Sequence, residues 1–127
     1  MKKILIVEDD ADINKALRIR MQVAGYEVVS AEDSLLGLSA AVREEPHLMI
    51  LDVTMPAGDG FSIVERLREH TEVPDVPFIV LTASKRPEYR ARARELGAHA
   101  YFEKPYDAAE LLGVVRSALD GQTLAAT

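Results

Sequence analysis

Glu8, Asp9, Asp52, Thr82 and Lys104 each close or directly follow a short apolar run. Ile4-Leu5-Ile6-Val7 leads into Glu8-Asp9, Leu48-Met49-Ile50-Leu51 into Asp52, Phe78-Ile79-Val80-Leu81 into Thr82, and Ala100-Tyr101-Phe102-Glu103 into Lys104. Runs of this kind read as parallel strands, and in an open parallel sheet the carboxyl ends of the strands form the ligand crevice. Three carboxylates, a hydroxyl and an amine are therefore expected to converge on one small site. The oxygens of Glu8, Asp9 and Asp52 suit Mg2+, a hard cation that takes one or two carboxylates together with water and phosphate. A carboxylate such as Asp52 can also accept a phosphoryl group as an acyl phosphate. Such a transfer depends on positioning and charge neutralisation. Lys104 would hold phosphoryl oxygens beside the metal, and Thr82 would hydrogen-bond a third.

Each residue has a plainer reading by itself. Asp9, Asp10 and Asp12 would favour the dipole of a helix starting after the first strand. Thr82 would be a strand-end hydroxyl and Lys104 a solvated lysine. Their joint placement at strand ends is what favours chemistry. His47, His70 and His99 fall at a strand entry, a helix end and a loop, and carry none of it.

Strand-like and helix-like segments alternate five times. From Asp12 to Ala24, Ile13, Ala16, Leu17 and Met21 recur at helical spacing, and Gly25 stops the helix. Tyr26 to Ala31 reads as a strand. The next helix, Ser34 to Glu44, is expected to turn Leu35, Leu38, Ala41 and Val42 inward, and Pro46 bars its continuation. After Asp52 comes a loop with Pro56, Gly58 and Gly60, then a helix from about Phe61 to His70. Pro74 and Pro77 bracket the entry to the fourth strand. A fourth helix opens near Pro87 and ends at Gly97. It offers mainly Tyr89, Ala93 and Leu96 to the core. The last helix starts with Asp107 and Glu110 at capping-box spacing. It buries Leu111, Leu112, Val115, Ala118 and Leu119, and is expected to stop at Gly121. The alternation predicts an α/β fold: a flavodoxin-like, doubly wound (βα)5 domain with a five-stranded parallel sheet in the order 2-1-3-4-5. Residues 1–120 form that domain, and 121–127 read as a tail or a truncated linker.

At 127 residues the chain is one domain with room for a real core. It has no cysteine, which excludes disulfides, zinc-thiolate sites and thiol catalysis. No apolar stretch approaches the ~20 residues that cross a bilayer. The net charge of −6 disfavours direct nucleic-acid binding by this domain. Arg86, Arg90, Arg92 and Arg94 make one basic patch on the fourth helix, either a solvated face or a dock for an acidic surface.

From Lys3 to Asp120 the chain resembles the receiver domain of two-component response regulators. Ile4 to Asp10 is similar to that family's first strand and acidic pair. Asp52-Val53-Thr54-Met55-Pro56-Ala57-Gly58-Asp59-Gly60 fits its D-x-x-M-P-x-x-D-G loop. Leu81-Thr82-Ala83 resembles its switch strand, and Lys104-Pro105 its Lys-Pro pair. The resemblance implies Asp52 as phosphoacceptor, with Lys104 and Thr82 assisting. Asp9 would bind Mg2+ directly, Glu8 through water, and Thr54 through its backbone carbonyl. Ala83 leaves room for the phosphoryl group, and a cis peptide between Lys104 and Pro105 aims the ammonium. Thr82 and Tyr101 would move together as the switch, changing the face made by the fourth helix, fifth strand and fifth helix.

Implied partners are a histidine kinase or histidine phosphotransfer protein and a downstream protein target or effector domain. The implied chain is cytoplasmic, binds neither nucleic acid nor membrane directly, and is a monomer or a phosphorylation-dependent dimer. It would be no enzyme beyond self-phosphorylation from small donors and self-dephosphorylation. In the family's transcription-factor branch, strand five usually carries an Asp-Asp pair and the last helix an Arg ten residues after the lysine. Ala98-His99-Ala100 and Val114 stand here instead, so that branch's salt-bridged dimer is not expected. Three rival readings stay open. An aspartate-nucleophile hydrolase would need an acid where Thr54 stands. A flavin module lacks a phosphate-cradling loop and a tryptophan. A receiver acting through protein contacts alone would need no phosphoryl transfer.

Overall fold

The computed structural model describes residues 1–54, 60–70 and 72–126; the expected loop residues Met55, Pro56, Ala57, Gly58 and Asp59 lie outside them. Along the chain run β1 (Lys3–Val7), α1 (Ala11–Val23), β2 (Glu27–Ala31), α2 (Ser34–Glu44) and β3 (Leu48–Asp52). Then follow α3 (Phe61–Arg68), β4 (Phe78–Thr82), α4 (Pro87–Glu95), β5 (Ala100–Glu103) and α5 (Ala108–Ala126). The strands pair in parallel in the order β2-β1-β3-β4-β5, as the alternation predicts.

Side chains alternate across each strand, and the apolar runs therefore feed two cores. Leu5, Val7, Met49, Leu51, Phe78 and Val80 pack with Ala40, Ala41, Phe61, Ile63, Val64, Leu67 and Ala93 of α2, α3 and α4. Ile4, Ile6, Leu48, Ile50, Ile79 and Leu81 pack on the other face with Leu17, Met21, Leu111, Val115, Ala118 and Leu119 of α1 and α5. Burial on both faces is what continuous aliphatic strands require.

The helix ends follow local chemistry. Asp10 caps α1, its Oδ1 accepting from the amides of Asp12 and Ile13 at 2.9 and 3.1 Å. The plain reading of the acidic run thus holds for Asp10. Asp33 caps α2 through the Leu36 amide, and Asp107 caps α5 through those of Ala109 and Glu110. Gly25 and Gly97, at φ 99° and 81°, follow the ends of α1 and α4.

Two expectations fail. Leu35 and Val42 do not turn inward: Leu35 is 72% and Val42 36% exposed, and Leu36 is also exposed. The buried face of α2 is Gly37, Ala40 and Ala41, with Leu38 partly buried. A Cβ on Gly37 would stand 2.9 Å from both Ile63 Cδ1 and Val7 Cγ2. The helix lies too close to β1 and α3 for large side chains, so its small residues face in. The last helix also runs past Gly121, its expected stop, to Ala126. A glycine inside a helix costs only about 1 kcal/mol against alanine, and leucine and alanine residues follow it.

Candidate functional site

β1, β3 and β4 end side by side, with Val7 opposite Leu51 and Asp52 opposite Leu81. The next residues therefore meet at one rim. Oxygens of Glu8, Asp9 and Asp52 lie within 4.8 Å of one another. Glu8 and Asp52 are buried, while Asp9 is exposed at the mouth. Lys104, just past β5, brings its Nζ to 2.5 Å from Glu8 Oε1 and 3.4 Å from Asp52 Oδ2. Its amide donates to the Thr82 carbonyl at 2.8 Å, and the Lys104–Pro105 peptide is cis.

Asp52 is held from its own loop as well. Its Oδ1 accepts from both the amide and the hydroxyl of Thr54, each at 2.9 Å. The Thr54 side chain is thus bound to the carboxylate. Gly60 closes the far side of the loop: a Cβ there would lie 2.5 Å from the Asp52 carbonyl oxygen, so no side chain fits. Thr82 is fully buried, and its Oγ1 accepts from the Ser84 amide at 3.0 Å. Ala83, beside it, is exposed.

Charge decides the protonation of the pair. Burial, then the shared hydrogen bond with Asp52, pushes the Glu8 carboxyl up to about 7 against the pull of Lys104. Burial also raises Asp52, but hydrogen bonds from Glu8 and Thr54 and the Lys104 charge outweigh it and hold that carboxyl below its usual value. Lys104 would be lowered by burial, yet Glu8 and Asp52 drive it up. Burial and the second carboxylate thus make Glu8 the weaker acid of the pair, and Lys104 offsets part of their charge. The donor set is all oxygen and anionic, and it fits Mg2+.

Glu8, Asp9, Asp52 and Lys104 come together as the sequence predicts, with Thr82 on the adjoining strand end. Tyr101 lies elsewhere, on β5. Its ring is half-buried under Arg90, whose guanidinium carbon is 4.5 Å from the ring centroid. Its hydroxyl is the one buried side-chain polar atom without a hydrogen-bond partner among the described residues. Much of the basic patch on α4 is paired within the chain: Arg86 with Glu88, Arg90 with Glu103, and Arg92 with Glu65. His47, His70 and His99 stay outside the cluster; His47 Nδ1 accepts from the Lys3 amide. The sequence reading missed Asn14, which is buried behind Glu8 and Asp9. Its signal was a polar residue on the stripe of α1 that also holds Leu17 and Met21.

A family model described as the response regulator receiver domain matches residues 4–116. Over 119 residues the chain is 37% identical to the DNA-binding dual master transcriptional regulator RpaA of Synechocystis sp., covering 94% of this chain and 49% of that protein. It is 41% identical to the probable transcriptional regulator ycf27 of Porphyridium aerugineum, covering 93% and 48%. The chain thus spans about half the length of the curated relatives it matches. A CheY-like response regulator receiver domain protein from Methanospirillum hungatei superposes with a TM-score of 0.88 at 30% identity, over 97% of both chains. The response regulator protein TrrA from Thermotoga maritima, solved in complex with Mg2+-BeF, does so at 0.81 and 31%, over 94% of this chain and all of that one. The strand order, the acidic cluster and these likenesses agree, and the chain belongs to the receiver domain family of two-component response regulators.

Proposed function

We propose that Asp52 accepts a phosphoryl group from a phosphorylated histidine of a histidine kinase or histidine phosphotransfer protein. The observation that carries this reading is a buried carboxylate clustered with Glu8, Asp9 and the Lys104 ammonium at the strand ends. An Asp52 oxygen attacks phosphorus while the bond to the donor's imidazole nitrogen breaks, and the bonding pair returns to that nitrogen. Lys104 faces the charge on the phosphoryl oxygens, and the Thr82 hydroxyl donates to one of them after leaving Ser84. Thr54 holds the carboxylate in place. Asp9, Asp52 and the Thr54 carbonyl would hold Mg2+, with Glu8 acting through water. Bound there, the ion supplies a second positive charge for the phosphoryl oxygens.

Output follows from Thr82 and Tyr101. Movement of Thr82 toward the phosphoryl group opens space behind it for the Tyr101 ring, and α4, β5 and α5 present an altered face to a protein target or effector domain. The domain acts through protein contacts, as a monomer or a phosphorylation-dependent dimer, in the cytoplasm. Among the described residues no helix is long and apolar enough to cross a membrane. External substrates are not turned over; only self-phosphorylation from small donors and self-dephosphorylation occur. Residues 1–120 make this unit, and 121–127 are its tail or a truncated linker, into which the last helix runs as far as Ala126.

Incubation with acetyl phosphate and Mg2+ should add one phosphoryl group by intact mass. An Asp52→Asn variant or a chelator should abolish the gain. Labelling of Asp52→Asn, or failure of both acetyl phosphate and a phosphorylated kinase to label the folded protein, overturns the reading.

A further inference from the structure

We propose that Asn14 is a positioning residue for the metal site, acting on the peptide that joins Glu8 to Asp9. The inference rests on the reading of those two carboxylates as holders of Mg2+. β1 ends at Val7, so the Glu8 carbonyl lies beyond the strand. Asn14 Nδ2 donates to that carbonyl at 3.0 Å and to the Ala31 carbonyl, at the end of β2, at 3.4 Å. The Ala31 carbonyl also receives the Glu8 amide at 3.1 Å, and the Asn14 amide donates to Asp10. One buried side chain, 6% exposed, therefore ties the ends of two strands to the first turns of α1.

The tied peptide is the one whose orientation matters. Its two flanking side chains diverge, Glu8 into the buried pocket against Lys104 and Asp9 to the exposed mouth, yet their oxygens stay within the 4.8 Å cluster. Holding that peptide restrains ψ of Glu8 and φ of Asp9, the backbone torsions nearest the two carboxylates. Packing alone favours an apolar residue beside Leu17 and Met21, because a buried amide is costly unless bonded. Asn14 makes those bonds to the backbone that carries the acidic pair. Its side-chain amide is spent on the Glu8 and Ala31 carbonyls, so it acts through Glu8 and Asp9.

The test measures Mg2+ affinity and metal-free thermal unfolding of the wild type, Asn14→Leu, and Leu17→Ala as a control that loses packing only. Removing an outer-shell partner of metal ligands typically costs about 10- to 100-fold in affinity. Asn14→Leu should show that loss at a temperature where it is fully folded, while Leu17→Ala unfolds earlier but binds Mg2+ as the wild type does. An Asn14→Leu protein that only melts earlier, with unchanged Mg2+ affinity, overturns the proposal. If Asn14→Leu does not fold, Asn14→Ser is read by the same criteria. A wild type that fails to bind Mg2+ sinks the metal reading itself, an outcome visible before any variant is made.

Discussion

β3 and β4 bury all of their residues, whereas β5 buries none completely. Their flanking helices differ in the same way. α3 places Phe61, Ile63, Val64 and Leu67 in the core, and α4 places only Ala93. What holds α4 is mostly at its rim. Tyr89 stacks on Phe61, Arg92 pairs with Glu65 and lies over the same ring, Arg68 donates to the Leu96 carbonyl, and Arg90 lies between Tyr101 and Glu103. Asp52 thus sits at the end of a strand with no room to shift, beside a flank secured by contacts that solvent screens. The positioned chemistry belongs to the dense part, and any change of shape is drawn from the sparse part, where opening costs least.

The largest effect should come from cutting the dense part. Ile50→Ala removes a fully buried side chain and is expected to cost about 2–5 kcal/mol, read as a fall in denaturation midpoint. Leu96→Ala, on the partly buried edge of α4, should cost about 1 kcal/mol or less. Equal losses would erase the contrast.

An intermediate effect is electrostatic and confined to the dense end. The folded chain holds the Glu8 proton up to about pH 7, above the ordinary 4.5 of a glutamate. The metal-free protein is therefore stabilised by that proton at low pH and loses the contribution as pH rises from 4.5 through 7. Mg2+ binding must expel the same proton. Its affinity should rise up to about tenfold per pH unit below 7 and level off above it, by titration calorimetry. A flat profile across that range would remove the proton from Glu8.

The smallest effect tests the sparse part. Arg90→Ala loses an exposed cation–π contact and a surface ion pair, together about 1 kcal/mol or less. Hydrogen exchange should speed up in α4 while β3 and β4 keep their protection. Acceleration spread evenly over the sheet would show that the two regions are one unit.

Where side-chain character and spacing coincide, the fold was legible. Four short, mainly apolar runs leading into Glu8-Asp9, Asp52, Thr82 and Lys104 made the strands, the topology and the cluster of Glu8, Asp9, Asp52 and Lys104 legible together, because a parallel sheet aligns its carboxyl ends whatever the helices do. α2 was misread because large apolar residues were taken as the inner face. The distance between helix and sheet decides that, and Gly37 sets it. The run of α5 beyond Gly121 was hidden by treating one glycine as a stop when its cost is small. Asn14 was passed over because its partners are backbone carbonyls, which one-letter patterns do not show.

The Tyr101 hydroxyl has a thermodynamic consequence. Buried with no hydrogen-bond partner among the described residues, it carries a desolvation penalty of about 1–3 kcal/mol. Phenylalanine would fill the same space without that penalty. The oxygen therefore tilts the equilibrium away from the arrangement seen here, toward any other in which it is bonded. A single atom lowers the threshold for leaving this state, and it does so on the strand that the core grips least.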